Sequence, residues 1–169
     1  MAHHQHRAHR PGRHVVTDNP PILLAEDDPS HVLLVRRFLA KGGLVNPVHA
    51  VSDGAEALAY LFGEGEYADR RRHPLPAAVI TDLHLAGLGG MELLEGVRGH
   101  EDFADIPIVV MSGSTEGRDI EQVHELGAAA YLVKPIAFEA LLDVLHDLGL
   151  PWALQRPAQS TTSTRESRT

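Results

Sequence analysis

The sequence predicts an α/β domain, a (βα)5 doubly wound fold built on a five-stranded parallel sheet. Three observations lead there. Short apolar runs alternate with helical patterns five times between residues 20 and 149. Most of the runs are continuously apolar, as parallel strands covered on both faces are. The connections are mostly short, and strict βα alternation with right-handed crossovers places helices on both sides of one sheet.

The first strand is Ile22–Ala25. Its helix starts at Asp28-Pro29, an N-cap acid with proline at the first helical position, and carries Val32, Val35 and Leu39 on one stripe. It stops at Gly42-Gly43. The second strand, Pro47–Val51, leads to Asp53-Gly54-Ala55-Glu56, whose capping-box spacing opens a helix burying Ala57, Leu58 and Leu61. The third strand, Ala77–Thr81, precedes a helix with Met91, Leu94 and Val97 inward. The fourth, Ile108–Met111, precedes one with Ile120, Val123 and Leu126. The fifth is Ala129–Val133, and its helix carries the clearest stripe of the chain: Phe138, Leu141, Leu142, Leu145 and Leu148.

The ends differ from this body. Residues 1–19 hold five histidines without apolar periodicity. They read as a disordered leader, because the histidine spacing fixes no metal geometry and no signal-peptide core is present. Residues 150–156 form an apolar arm with the only tryptophan, and the Ser/Thr-rich residues 157–169 are expected to be disordered.

Composition narrows the class. The 169 residues include no cysteine, which excludes a disulfide framework and thiolate chemistry. No apolar run approaches the roughly 18 residues of a membrane span, and a cytoplasmic location is expected. Net charge is −8, but residues 18–155 carry nine basic against 22 acidic side chains, a net of −13. Such a body repels phosphate backbones, which argues against direct nucleic-acid binding.

In a doubly wound sheet, ligands bind beyond the carboxyl ends of the strands, where strand order reverses. Glu26, Asp27 and Asp28 arrive there after the first strand, Asp82 after the third, Ser112 after the fourth and Lys134 after the fifth. Singly, each has a plain structural use: Asp28 as a helix cap, Ser112 as a turn residue, Lys134 as an exposed lysine. Together they describe a site. Two carboxylates about 5 Å apart repel by roughly 3 kcal/mol at an effective dielectric of 20, so Glu26, Asp27 and Asp82 require a counter-charge. Oxygen-only ligands favour Mg2+ over Zn2+. A carboxylate held against Mg2+, facing a lysine and a hydroxyl, is arranged for in-line attack on phosphorus.

The stretches ILLAEDDP, VITDLHL, IPIVVMSGS and YLVKP resemble the motifs of two-component response-regulator receiver domains. The resemblance implies the flavodoxin-like receiver fold over residues 20–149. It also implies a signalling protein that is no enzyme beyond catalysing its own phosphorylation and dephosphorylation. By position it makes Asp82 the phosphoacceptor for a histidine kinase. Glu26, Asp27, Asp82 and the backbone carbonyl of His84 become the Mg2+ site, with Mn2+ as a substitute. Ser112 becomes the switch hydroxyl, Lys134 the phosphate-binding lysine, and Pro135 the structural proline that often follows a cis peptide. Tyr131 matches the family's aromatic switch, and equally reads as a half-buried strand tyrosine. Ala86 and Gly89 stand where the family often has proline and an acid, so the LAGLGG loop is expected to be more flexible. Gly113 leaves the site open, and fast self-dephosphorylation is expected.

Two further stretches, EDDPSHVLLVRRFL and LFGEGEYADRRRHPLP, are similar to single-domain regulators paired with phytochrome-type histidine kinases. Arg70, Arg71 and Arg72 within the second read as a solvated run in preference to a contact for an acidic partner. The arm residues Leu150, Trp152 and Leu154 either pack back on the last helix or reach a second copy, and the resemblance favours a homodimer. A bacteriophytochrome kinase and a downstream phosphotransfer or effector protein are the other partners implied. Competing classes fit less well. A dehalogenase-type phosphatase needs a second aspartate where His84 stands, and a flavodoxin-type cofactor binder needs a Ser/Thr/Gly loop where EDDP stands. The stretch after the last helix is too short for a DNA-binding module. A degenerate receiver serving only as a scaffold stays open.

Overall fold

The computed structural model describes residues 19–149. The leader before them, the arm residues Leu150, Trp152 and Leu154, and the Ser/Thr-rich tail lie outside the described residues. Strands β1 (Ile22–Ala25), β2 (Val48–Val51), β3 (Ala78–Asp82), β4 (Ile108–Ser112) and β5 (Ala130–Val133) alternate with helices. The helices are α1 (Pro29–Lys41), α2 (Gly54–Phe62), α3 (Gly90–Val97), α4 (Gly117–Glu125) and α5 (Phe138–Asp147). The sheet is parallel throughout, in the order β2-β1-β3-β4-β5. Strand order therefore reverses between β1 and β3.

Helices α1 and α5 cover one face of the sheet through Val35, Leu39, Leu141 and Leu145. Helices α2, α3 and α4 cover the other through Ala57, Leu61, Leu93, Leu94, Val97 and Val123. Strands β1, β3 and β4 are buried at every position, which is why their sequences are unbroken apolar runs. The edge strands β2 and β5 are only partly covered, and Val133 is exposed. An edge strand has a neighbour on one side only, so continuous burial does not extend to it. The expected stripes are not matched at every position: Tyr60 is fully buried outside the α2 stripe, and Val32, Met91, Ile120 and Leu126 are only half-buried. Leu93 is fully buried although the sequence stripe passes over it, because α3 packs against α2 as well as the sheet. Leu58 is half-buried in the seam where it meets Gly96.

The helix starts follow the capping chemistry. Asp28 accepts from the Ser30 N–H at 2.9 Å, and Asp53 accepts from the Glu56 N–H at 2.8 Å. The return half of the expected capping box is displaced by one residue. Glu56 Oε2 accepts from the Ser52 N–H at 3.1 Å, and Oε1 accepts from the Tyr67 hydroxyl at 2.8 Å. Gly63 then ends α2 with a left-handed φ of 67°.

The long connection after α2 is folded onto the domain. A 3-10 turn at Gly65–Tyr67 buries Tyr67, and the Tyr60 hydroxyl donates to the Pro74 carbonyl at 2.9 Å. Arg70 corrects the reading of its run as uniformly solvated. Its guanidinium donates to the carbonyls of Tyr60 (2.7 Å), His73 (3.2 Å) and Leu61, clamping the last turn of α2. Arg71 and Arg72 are exposed.

Candidate functional site

Strands β1 and β3 pair in register at Ala25 and Thr81, so the residues that follow arrive at one edge. Glu26 is 3% exposed and Asp82 8%, while Asp27 stands exposed at the mouth. One carboxylate oxygen from each of the three lies within 4.8 Å of the others. The acidic cluster expected from the sequence is therefore assembled. The loop after β3 is drawn against it. A Cβ on Gly90 would stand 2.5 Å from the Asp82 carbonyl oxygen, so α3 can start there only with glycine. The Gly54 N–H donates to the Leu88 carbonyl at 2.8 Å, and the Ala86 N–H reaches Asp27 Oδ2 at 3.4 Å. These ties limit the looseness expected of LAGLGG, because its last two glycines serve close packing.

Lys134 follows β5, and its side chain reaches across the end of β4. Its Nζ donates to Asp82 Oδ2 at 2.7 Å and to Glu26 Oε2 at 3.0 Å. Part of the counter-charge that the carboxylates require is thus supplied by the chain itself. Burial opposes the Lys134 charge, but its bonds to Asp82 and Glu26 outweigh that and raise its pKa. Burial raises the pKa of Glu26, and the Lys134 bond and the Asp28 N–H offset this only in part. The Lys134-Pro135 peptide is cis, in keeping with the resemblance. Beyond it, a mostly apolar cavity of about 350 Å³ opens between α1 and the start of α5, lined by Leu34, Phe38, Pro135 and Ile136 among others.

Ser112 ends β4 fully buried, and its Oγ accepts from the Ser114 N–H at 3.1 Å. Tyr131 is half-buried on β5 and donates its hydroxyl to the Ser114 carbonyl at 2.8 Å. The His84 N–H donates to Asp82 Oδ1 at 3.1 Å, so that peptide borders the cluster while the residue is exposed. Of the expected site residues, only those of the arm lie outside this description.

The structure adds residues that the sequence reading missed. His31 Nδ1 lies 3.2 Å from Lys134 Nζ and 3.6 Å from Glu26 Oε1. Its signal was available, since a residue three after Asp28 shares a helix face with it. Ser114 and Asp119 are linked by a hydrogen bond of 2.7 Å, and nothing in the local sequence marks that pair. Chemically, the edge offers a pocket of hard carboxylate oxygens open at Asp27, with an ammonium and a hydroxyl beside Asp82. Such a pocket suits a hard divalent cation and an incoming anion together.

Residues 22–146 match the family model described as the response regulator receiver domain, whose members bind divalent metal and take part in signalling with histidine kinases. The response regulator Rcp1 of Synechocystis sp. is 30% identical over 136 residues, which span 79% of this chain and 90% of that protein. The bacteriophytochrome response regulator AtBRR superposes with a TM-score of 0.71 at 39% identity, over 82% of this chain and 99% of that one. The Mn(2+)-bound form of Rcp1 superposes with a TM-score of 0.66 at 28% identity, over 82% and 99%. Sequence match, sheet order and acidic cluster agree: this chain belongs to the response regulator receiver family, among the relatives of the phytochrome-linked regulators.

Proposed function

We propose that residues 20–149 take a phosphoryl group onto Asp82 from a histidine kinase of the bacteriophytochrome type and pass the signal on by protein contact in the cytoplasm. One observation carries this reading: the Asp82 carboxylate lies 2.7 Å from the Lys134 ammonium, within a carboxylate cluster open at Asp27. Glu26, Asp27, Asp82 and the His84 carbonyl would hold Mg2+, with Mn2+ as a substitute, and their hard oxygens fit such an ion. When bound, the metal neutralises charge on the acidic pocket and on the phosphoryl group.

An Asp82 oxygen forms the new P–O bond as the P–N bond of the donor phosphohistidine breaks, and the electron pair returns to the imidazole. Lys134 transfers its bond from the Asp82 carboxylate to a phosphoryl oxygen, and Ser112 donates its hydroxyl to another. Those contacts exist only with the phosphoryl group in place, so they can bias a two-state surface made by α4, β5 and α5. Tyr131 on β5 is the side chain through which that surface changes. Loss of the phosphoryl group to water is the reverse half of the cycle, catalysed by the same residues. A downstream phosphotransfer or effector protein reads the surface, and the arm residues Leu150, Trp152 and Leu154 hold a homodimer together.

Intact-mass measurement after acetyl phosphate and Mg2+ tests the reading. The wild type should gain one phosphoryl group and Asp82→Asn none. An unlabelled wild type would support the scaffold alternative, and a labelled Asp82→Asn would place the acceptor elsewhere.

A further inference from the structure

We propose that Ser114, pinned by Asp119, is a positioning residue that sets the Ser112 hydroxyl and the Tyr131 ring together. The inference rests on Asp82 as the phosphoacceptor and names how the same site is coupled to its surface. Ser114 sits half-buried in the connection from β4 to α4 and engages every polar group it has. Its N–H donates to Ser112 Oγ at 3.1 Å, and its carbonyl accepts from the Tyr131 hydroxyl at 2.8 Å. Its own hydroxyl donates to Asp119 Oδ2 at 2.7 Å and accepts from the Glu116 N–H at 3.3 Å. One residue thereby joins the end of β4, the first turn of α4 and the middle of β5.

The rest of this connection offers little alternative support. Thr115 and Glu116 are exposed, and a Cβ placed on Gly113 or Gly117 would meet open space. Glu116, the N-cap residue of α4, makes no side-chain capping bond. Asp119 lies in the first turn, where its charge suits the helix N-terminus, and it reaches back to the Ser114 hydroxyl. Together with the Glu116 N–H bond to the Ser114 hydroxyl, the clasp fixes the loop to the first turn of α4. A hydroxyl that accepts from the Ser114 N–H is held in one rotamer, yet its proton remains available for a phosphoryl oxygen over Asp82. When that oxygen draws Ser112 toward it, Ser114 follows its acceptor. The Tyr131 acceptor and the Asp119 anchor then move with it.

The full chain labelled with 3-fluorotyrosine provides the test, because it has only three tyrosines, Tyr60, Tyr67 and Tyr131. Tyr131→Phe identifies the relevant 19F resonance, and intact mass is read on the same samples. In the wild type, acetyl phosphate with Mg2+ should add a phosphoryl group and shift the Tyr131 resonance. Ser114→Ala and Asp119→Ala should still take the phosphoryl group but lose at least half of that shift, with the Tyr60 and Tyr67 resonances unmoved. Ser114→Thr, which keeps the hydroxyl, should restore it. A full shift in both alanine variants, no shift in the phosphorylated wild type, or failure of threonine to rescue would overturn the clasp. Absence of mass gain in the wild type would instead overturn the Asp82 reading, and the clasp with it.

Discussion

Replacing Lys134 with alanine removes the ammonium that faces both buried carboxylates. The two ion pairs are 2.7 and 3.0 Å long, with Glu26 and Asp82 side chains only 1% and 11% exposed and that of Lys134 20% exposed. At an effective dielectric of 20, each pair is worth about 6 kcal/mol in gross attraction. Dehydration of the three charges offsets most of that, so truncation reads mainly the cost of stranding the acids. Breaking a fully buried pair costs roughly 3–5 kcal/mol, and the partial exposure of Lys134 argues for about 3 kcal/mol here. That corresponds to about 10 °C in the thermal midpoint of a domain this size. The assay is thermal and urea unfolding in EDTA across pH. Glu26 has a folded pKa raised above 4.5. Its contribution is therefore fully present below that value and lost as pH rises through the folded pKa. Losing Lys134 raises that pKa further, so the penalty should be small near pH 4 and complete near pH 8. Added Mg2+ should stabilise the variant more than the wild type, because a bound cation takes the place of the ammonium. A loss below about 1 kcal/mol, or one that does not change with pH, would refute the assignment of Lys134 as counter-charge.

Asp82→Asn should leave the midpoint in EDTA within about 3 °C of wild type while abolishing labelling. Relief of repulsion over distances up to 4.8 Å then opposes loss of the 2.7 Å ion pair. A larger rise would mean that Lys134 screens the acids poorly. His49 packs against the rings of Tyr60, Tyr67 and His73, and burial first, then the neighbouring His73, lowers its pKa against the pull of Glu56 and Glu66. Its contribution is complete above 6.5 and lost as pH falls through the folded value. Amide exchange in residues 64–75 should accelerate selectively in mild acid, and His49→Phe should abolish that selectivity. Because Gly113 is open to solvent, phosphorylated Asp82 should have a half-life well short of hours, and persistence over many hours would count against the open site. The proposed homodimer should sediment as a dimer in the full chain and as a monomer after truncation at Gly149, and an unchanged mass would clear the arm of that role.

The elements, and the edge at which the site forms, were readable from the order of residues along the chain. Burial on both faces restricts residue type at every position of Ile22–Ala25 and along β3 and β4, so those strands stand out as unbroken apolar runs. The Asp28-Pro29 start of α1 and the Asp53 start of α2 were legible because capping is a local interaction. Right-handed βα alternation then carries Glu26, Asp27, Asp82, Ser112 and Lys134 to one edge without any knowledge of their contacts. The contacts themselves depend on how the elements pack. Lys134 pairs with Asp82 and Glu26 across the end of β4, Glu56 turns to Ser52 and Tyr67, Arg70 clamps the last turn of α2, and Ser114 meets Asp119. Each of these bonds exists or fails within about 1 Å, and some join groups dozens of residues apart. Composition and periodicity act over one or two turns of chain, so they place a side chain on a face but leave its partner open.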